Sequence, residues 1–362
     1  MRLSDLETPA LVVDLEVMGR NLQRAADYAA AHGLRLRPHT KTHKIPDLAK
    51  RQLSLGAAGL TVAKVGEAEV MVEARPPDLL VAYPVIGPGK LHRLVEVARR
   101  ARVSVALDSL EAARPLSEAA ASGGVKVGVL AEADVGAGRV GVAPGDEIIS
   151  LARELAKLPG LEFDGLAFYP GHIKRPDESE LRSLGDLVQT MVDDLGRHGL
   201  KPRVVSGGST PTLLQSHLVG AMNEIRPGTY IFNDRNTVAS GACGYQDCAA
   251  FVLATVVSTA RPGQVIIDGG SKTFSSDRLA GAGEEAGFGR IVEEPGAVLA
   301  KMNEEHGFID IRACGRSFQV GERVRVIPNH ICVVVNLHNT VYGIRGETVE
   351  QVWPVAGRGK LQ

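Results

Sequence analysis

A lysine flanked by imidazoles is the first place in this chain where chemistry could collect. The segment Arg37-Pro38-His39-Thr40-Lys41-Thr42-His43-Lys44 follows the alternating run Leu34-Arg35-Leu36, and Pro38, which has no amide hydrogen to donate, forbids helical continuation. The pattern predicts a first strand over Leu34–His39 with Lys41 at its carboxyl end. In parallel α/β barrels that edge carries the catalytic groups. A lysine desolvated there is pushed toward its neutral, nucleophilic form, which a Schiff base requires. The same residues would also make a basic surface turn, so other segments must decide.

Ser206-Gly207-Gly208-Ser209-Thr210 is the second such segment, predicted to follow a strand and to open a helix. Its glycines permit close backbone approach, and free amides there can cradle a phosphate. Most loops of this composition are plain turns. Opposite a strand-end lysine, however, it suggests a phosphorylated aldehyde, pyridoxal 5′-phosphate. Further polar residues fall at predicted strand ends: Tyr83, Asp108, Asp134 with Arg139, Tyr169 with His172, and Arg226 to Tyr230. Near the carboxyl terminus, His330 and Cys332 would project from one face of a strand. Imidazole plus thiolate suits Zn²⁺ best and would leave coordination positions open for substrate. From spacing alone, a histidine and a cysteine packed in a core are the commoner arrangement.

These groups need a scaffold. Short β-branched runs at Leu34–His39, Gly59–Val62, Leu79–Ala82, Val103–Leu107, Val125–Leu130, Phe163–Phe168, Arg203–Val205 and Glu224–Arg226 alternate with helical spacing, as in Leu181, Leu184, Leu187, Val188 and Met191. Leu15 to Ala31 is a further helix with Asp14 as its N-cap. Eight strand–helix units predict an α/β fold, a (β/α)8 TIM-type barrel over residues 11–244. An open doubly wound sheet is the alternative, but no Gly-x-Gly-x-x-Gly turn follows the first strand. After Tyr245 the runs Phe251–Ser258, Gln264–Ile267, Arg290–Val292, Phe308–Arg312, Arg323–Ile327, Cys332–Leu337 and Thr348–Val355 are separated by turns rather than helices. They predict an antiparallel β domain formed by residues 1–10 plus 245–362 and carrying the His330/Cys332 pair.

Composition narrows the partners. Lys+Arg 41 against Asp+Glu 42 gives a net charge of −1 over 362 residues, with no basic stripe for nucleic acid. No apolar run reaches the roughly 18 residues of a spanning helix, and the first residues lack a signal-peptide pattern. Four cysteines in so long a chain do not form a disulfide framework, and Cys243 and Cys248 read as small hydrophobes. The expectation is a cytoplasmic protein acting on a small molecule, without a nucleic-acid or membrane partner.

Several motifs resemble a known family. Arg37–Lys44, Ala133-Asp134-Val135-Gly136-Ala137-Gly138-Arg139-Val140-Gly141 and Ile225-Arg226-Pro227-Gly228 are similar to motifs of the alanine-racemase-type barrel, the fold-type III pyridoxal enzymes. Tyr169-Pro170-Gly171-His172, Ile267-Asp268-Gly269-Gly270-Ser271-Lys272, Glu304-Glu305-His306-Gly307 and Pro328-Asn329-His330-Ile331-Cys332-Val333 extend the likeness to the D-threonine aldolase and D-serine dehydratase branch. The resemblance runs from Thr8-Pro9 to Val352-Trp353-Pro354. It implies that Lys41 is the Schiff-base lysine and Lys44 a supporting charge or surface residue. Arg139 would bond the cofactor's phenolate oxygen, and Tyr169 and His172 would flank its ring. Gly207, Gly208, Ser209 and Thr210 would hold the phosphate, with Gly228, Thr229 and Tyr230 closing that pocket. Arg226 matches the racemase arginine that faces the pyridine nitrogen, a contact Tyr169 could replace.

The resemblance also implies a divalent ion on the His330/Cys332 element. With no carboxylate there, Zn²⁺ is favoured over Mn²⁺ or Mg²⁺. The implied activity is a pyridoxal-phosphate- and metal-dependent lyase acting on D-3-hydroxy amino acids. Its reaction is D-threonine aldolase-like, yielding glycine and an aldehyde. D-serine dehydratase is the alternative, toward which His-x-Cys leans; a racemase and a non-catalytic pyridoxal-phosphate carrier are the remaining readings. His43 and His306 are candidate bases in the aldol route. A homodimer is implied as well.

Overall fold

The computed structural model describes all 362 residues, and its chain divides into two compact units. Met1–Leu22, Thr42–Lys44 and Thr229–Arg358 form the tail unit; Gln23–Lys41, Ile45–Gly228 and Gly359–Gln362 form the barrel unit. The first strand, β1 (Ala10–Asp14), belongs to the tail unit.

The barrel unit holds β2 (Arg35–Leu36), β3 (Leu60–Val62), β4 (Asp78–Val81), β5 (Arg102–Leu107), β6 (Val127–Ala133), β7 (Leu161–Phe168), β8 (Val204–Gly207) and β9 (Glu224–Ile225). They pair in parallel in the order β2-β9-β8-β7-β6-β5-β4-β3. The two edges meet where His39 bridges Thr61 and the Thr61 amide donates to the Pro38 carbonyl at 2.9 Å, so the eight strands close. Helices run between them because the sequence offers both a cap and a stripe. Leu15–Ala31 starts where Asp14 Oδ1 accepts the Glu16 and Val17 amides at 2.8 and 2.9 Å. Glu178–Arg197 starts where Asp177 accepts the Glu180 amide at 3.0 Å, and it buries Leu181, Leu184, Val188, Met191 and Leu195.

The barrel interior is layered. Leu80, Ala106, Leu130, Ala167 and Val204 pack together in the middle. Side chains alternate across a strand, so Asp108, Glu132 and Ser206, each two residues further on, turn to the same interior. Toward the amino ends lies a buried ion network. Arg37 forks onto Asp78 at 3.0 and 3.1 Å and brings its Nε within 2.9 Å of Glu224 Oε2, close but off the hydrogen-bond axis. Asp164 accepts Arg102 at 2.8 Å and Ser104 at 3.2 Å and pairs with Arg203.

The tail unit adds β10 (Ala250–Ser258), β11 (Gln264–Ile267), β12 (Gly289–Ile291), β13 (Val298–Met302), β14 (Gly307–Asp310), β15 (Arg323–Pro328), β16 (Thr340–Arg345) and β17 (Thr348–Pro354). Their order is β11-β14-β13-β12-β15-β10-β1-β16-β17, and an extra β10–β11 pairing closes the first six into an antiparallel barrel. β1 runs antiparallel to β10 and parallel to β16, burying Ala10 and Val12 against Phe251, Leu253, Ile327 and Ile344.

One predicted strand is overturned. Cys332–Leu337 lies in a helix, Ile331–Leu337, with His330 as its extended N-cap. Its β-branched run favours a strand only where a sheet is there to receive it. Here the Ile331 amide is instead held by Asp234 Oδ2 at 3.1 Å, and Ile331, Val334 and Val335 form the buried face of a short helix. The strands β13 and β16 went unread in the sequence.

Candidate active site

In the barrel unit, Lys41 sits on a single 3-10 turn, Thr40–Thr42, just beyond β2, with its side chain exposed. The Thr40 hydroxyl donates to the Thr61 carbonyl at 3.1 Å, and the Lys41 amide points at His39 Nδ1 at 3.4 Å. Burial, then the Lys41 and Arg226 charges, hold the His39 imidazole well below its ordinary pKa, so it is neutral at physiological pH.

Arg226 extends β9 into the same mouth. Its amide donates to the Gly207 carbonyl at 3.0 Å, and its buried guanidinium donates to the Phe168 carbonyl at 2.8 Å and to Ser206 Oγ at 3.3 Å. Ser206 in turn donates to Glu224 at 2.7 Å, which ties the mouth to the ion network below it. Burial pulls the Arg226 pKa down, opposed chiefly by Glu132 and Glu224.

The loop after β6 is built by one carboxylate. Asp134 Oδ1 accepts the amides of Gly136, Ala137 and Gly138 at 2.9, 2.9 and 3.1 Å, and the first of these bonds leads in lowering its pKa. Asp108 takes the Gly141 amide at 3.2 Å. The loop delivers the Arg139 guanidinium to the Tyr169 ring, 4.4 Å from its centroid, and the exposed His172 ring lies against Gly136. Tyr83, also exposed, is covered by the Lys64 ammonium at 3.6 Å.

The 207–210 segment is a bare-backbone turn. A Cβ on Gly207 would enter the Phe168 ring, and Gly208 has φ of +79°. Ser209 and Thr210 are buried, and Ser209 Oγ lies 3.2 Å from Thr212 Oγ1. The segment leads into 3-10 turns, Leu213–Leu218, rather than the predicted helix. Gly228 is the last residue of the barrel unit's long segment, Ile45–Gly228.

The tail unit contains Thr42, His43, Lys44, Thr229 and Tyr230 together with the His330/Cys332 pair. Cys332 Sγ lies 3.2 Å from Thr42 Oγ1 and 3.5 Å from Thr229 Oγ1. His330 hydrogen-bonds Cys332, which lifts the imidazole pKa to about 9. Burial raises the Cys332 thiol, but the bond and charge of His330 bring it below its ordinary value. His330 Nδ1 also faces Asp277 Oδ2 at 3.1 Å. No group of three or more His, Cys, Asp and Glu side chains is arranged to hold a metal. His43 and Tyr230 are buried and His306 is exposed. Lys44 is no surface residue: it is buried, and its ammonium meets Asn336 Oδ1 at 2.7 Å.

Glu132 and Asp277 were missed in the sequence. Glu132 had a signal, since it is the one charged residue in Val127-Gly128-Val129-Leu130-Ala131-Glu132-Ala133, a run apolar enough to be buried on both faces. Asp277 is 53 residues from His330 and had none.

Residues 13–236 match the family model "Alanine racemase, N-terminal domain", and 249–344 match "Putative serine dehydratase domain". With a closed parallel barrel presenting Lys41 at its carboxyl end, these define the alanine-racemase-type, fold-type III pyridoxal-phosphate class. A D-threonine aldolase from Arthrobacter sp is 33% identical over 99% of this chain and 94% of its own. The crystal structure of D-threonine aldolase from Filomicrobium marinum superposes with a TM-score of 0.93 at 35% identity, covering 100% of this chain and 98% of that one. A D-threo-3-hydroxyaspartate dehydratase with a cysteine changed to alanine, in a metal-free form, has a TM-score of 0.88 at 31% identity and 98% coverage of both chains. A histidine two positions before that cysteine has been changed to alanine in another structure of such a dehydratase. The chain belongs to the D-threonine aldolase and D-serine dehydratase family.

Proposed function

We propose that this chain is a pyridoxal-phosphate- and divalent-metal-dependent lyase that cleaves D-3-hydroxy amino acids to glycine and an aldehyde. The observation that carries this reading is full-length likeness to a D-threonine aldolase, at 33% identity over 99% of the chain. The residues present fit pyridoxal phosphate: a side-chain-free turn at Gly207 and Gly208, buried hydroxyls at Ser209 and Thr210, and an accessible amine at Lys41. When bound, the cofactor supplies an aldehyde for the substrate amine and a ring that accepts electrons released at Cα.

Lys41 is the attachment point for that aldehyde. Gly207, Gly208, Ser209 and Thr210, closed by Gly228, Thr229 and Tyr230, hold the phosphate. Arg139 neutralises the phenolate oxygen, and Tyr169 and His172 orient the ring. Arg226, a guanidinium already anchored on Phe168 and Ser206, would face the pyridine nitrogen and disfavour its protonation, a contact Tyr169 could replace. His330 and Cys332 are the metal ligands, with Asp277 orienting the imidazole through Nδ1. A thiolate beside an imidazole suits zinc, whose Lewis acidity would act on the 3-hydroxyl oxygen. His43 is the candidate to take the proton from that hydroxyl. The active species is a cytoplasmic homodimer.

Dehydration is the second reading. What favours it is the His-x-Cys spacing shared with the dehydratase structures, where the same two residue types, two apart, are the ones altered. In that reaction Lys41 takes the proton from Cα and the hydroxyl leaves. Incubation of the zinc-loaded protein with D-threonine and with D-serine decides between them. Acetaldehyde and glycine from D-threonine are expected. Pyruvate from D-serine, without acetaldehyde from D-threonine, would sink the aldolase reading.

A further inference from the structure

One buried amide grips both ends of a surface loop in the tail unit. Asn329, which directly follows β15, is 1% exposed, and its Nδ2 donates to the carbonyls of Asp277 at 3.0 Å and Gly287 at 2.9 Å. Its Oδ1 accepts from Arg235 Nη1 at 2.8 Å, and the same nitrogen donates to the Ala286 carbonyl at 2.8 Å. Asn236 adds a further hold: its Oδ1 takes the Ala280 amide at 2.9 Å, while its own amide donates to the Asn329 carbonyl at 3.2 Å. Between the gripped ends, Arg278 and residues 280–285 are exposed.

An exposed loop can satisfy its backbone with water, so it needs no such anchor for that purpose. A buried side-chain amide with both hydrogens and its oxygen engaged fixes position instead. What it fixes here is Asp277. The Asp277 carbonyl is one of the two that Asn329 holds, and the Asp277 carboxylate faces His330 Nδ1 at 3.1 Å. Asn329 and His330 are adjacent, so one short stretch anchors the Asp277 backbone and presents an imidazole to its side chain. With Nδ1 committed to a carboxylate, an imidazole offers Nε2 to a metal in a set orientation. The donor chemistry fits zinc, a histidine nitrogen and a cysteine sulfur two apart at the start of one helix.

We propose that Asn329 is a positioning residue for the His330/Cys332 metal site, a clamp that, together with Arg235, holds Asp277 against His330. It acts through Asp277 and not on metal or substrate directly. The inference rests on the reading of that pair as metal ligands.

A double-mutant cycle on zinc affinity tests it, read on the full-length protein by competition with a chromophoric chelator, with melting of the zinc-free proteins alongside. Asn329→Ala and Asp277→Asn should each weaken zinc binding by about tenfold or more. Because the clamp works through Asp277, the double substitution should bind within about threefold of Asp277→Asn alone. Wild-type zinc affinity in Asn329→Ala, with only a lowered melting midpoint, would make the clamp purely structural and overturn the proposal. So would losses that multiply in the double substitution, because Asn329 would then reach the site by another route. If Asn329→Ala fails to melt cooperatively, Arg235→Met takes its place in the cycle. It keeps the aliphatic length, gives up both Nη1 bonds and is held to the same two outcomes. An unaltered protein that binds no zinc removes the metal reading and this inference with it, a result distinct from a zinc-binding protein indifferent to Asn329.

Discussion

The two ends of the parallel barrel use buried charge in opposite ways. At the amino end, Arg37 forks onto Asp78 and abuts Glu224, while Asp164 collects Arg102, Arg203 and the Ser104 hydroxyl. At the carboxyl end, Glu132 has a bare oxygen, Arg139 lies on an aromatic face and Lys41 stands on an exposed turn. The amino end pairs its buried charges within the protein, whereas the carboxyl end buries Glu132 without an ion pair and leaves Lys41 and Arg139 open to solvent. Charges compensated within the protein fix the strands in register; charges left open mark where a ligand completes the shell. Ser206 joins the two, accepting from Arg226 above and donating to Glu224 below.

That contrast predicts different consequences for loss of a cation at each end. At the open end, Lys41→Ala should leave the fold intact while turnover falls by at least about a thousandfold, because no other amine replaces a covalent one. Residual rates within tenfold of wild type would mean that Lys41 is a surface residue. At the closed end, Arg37→Ala should do the reverse. Removing a cation that is 1% exposed takes the nearest counter-charge from Asp78 and Glu224, leaving each only a cation 3.7 Å away, a cost of about 3–5 kcal/mol read by denaturant unfolding. If the two substitutions destabilise equally, the distinction between the ends is lost.

Much of the scaffold was legible in the sequence because periodicity reports burial. Leu15–Ala31 and Gln264–Ile267 are found at their predicted limits, and all eight barrel strands lie within a few residues of theirs. Ile331–Leu337 was misread because propensity cannot see that Asp234, 97 residues earlier in sequence, caps it as a helix. In β13, Val298-Leu299-Ala300-Lys301-Met302 alternates too weakly to stand out, its register broken between Leu299 and Lys301. Lys41, Arg139 and the glycine turn announced themselves through residue type at strand ends. Asp277 did not, because a carboxylate reaching an imidazole across 53 residues leaves no local trace.

The glycine turn offers a smaller test of the open end. Gly207 is confined by Phe168, whose buried ring would meet any added Cβ. Gly207→Ala should therefore cost about 1–3 kcal/mol through overpacking and weaken cofactor retention on gel filtration. Gly208→Ala strains a backbone at φ +79° but meets no nearby backbone, so its effect should be the lesser of the two. A reversed order would place the tightest point of the cradle one residue later.

The smallest effect is expected at Asp134, and pH gives it a direction. Its carboxylate gathers three loop amides, and those bonds lower its pKa below the ordinary aspartate value. A group with a depressed folded-state pKa stabilises the fold above its unfolded pKa of about 3.9, and that contribution fades as the pH falls through the lower folded value. Asp134→Ala should therefore melt a few degrees below wild type at neutral pH, with the gap shrinking under acid. Because this loop carries Arg139, the same substitution should also loosen the guanidinium on Tyr169 and so weaken phenolate recognition at neutral pH. A melting gap that survives unchanged at acid pH would show that the turn is held by its glycine conformations instead of by the ionised carboxylate.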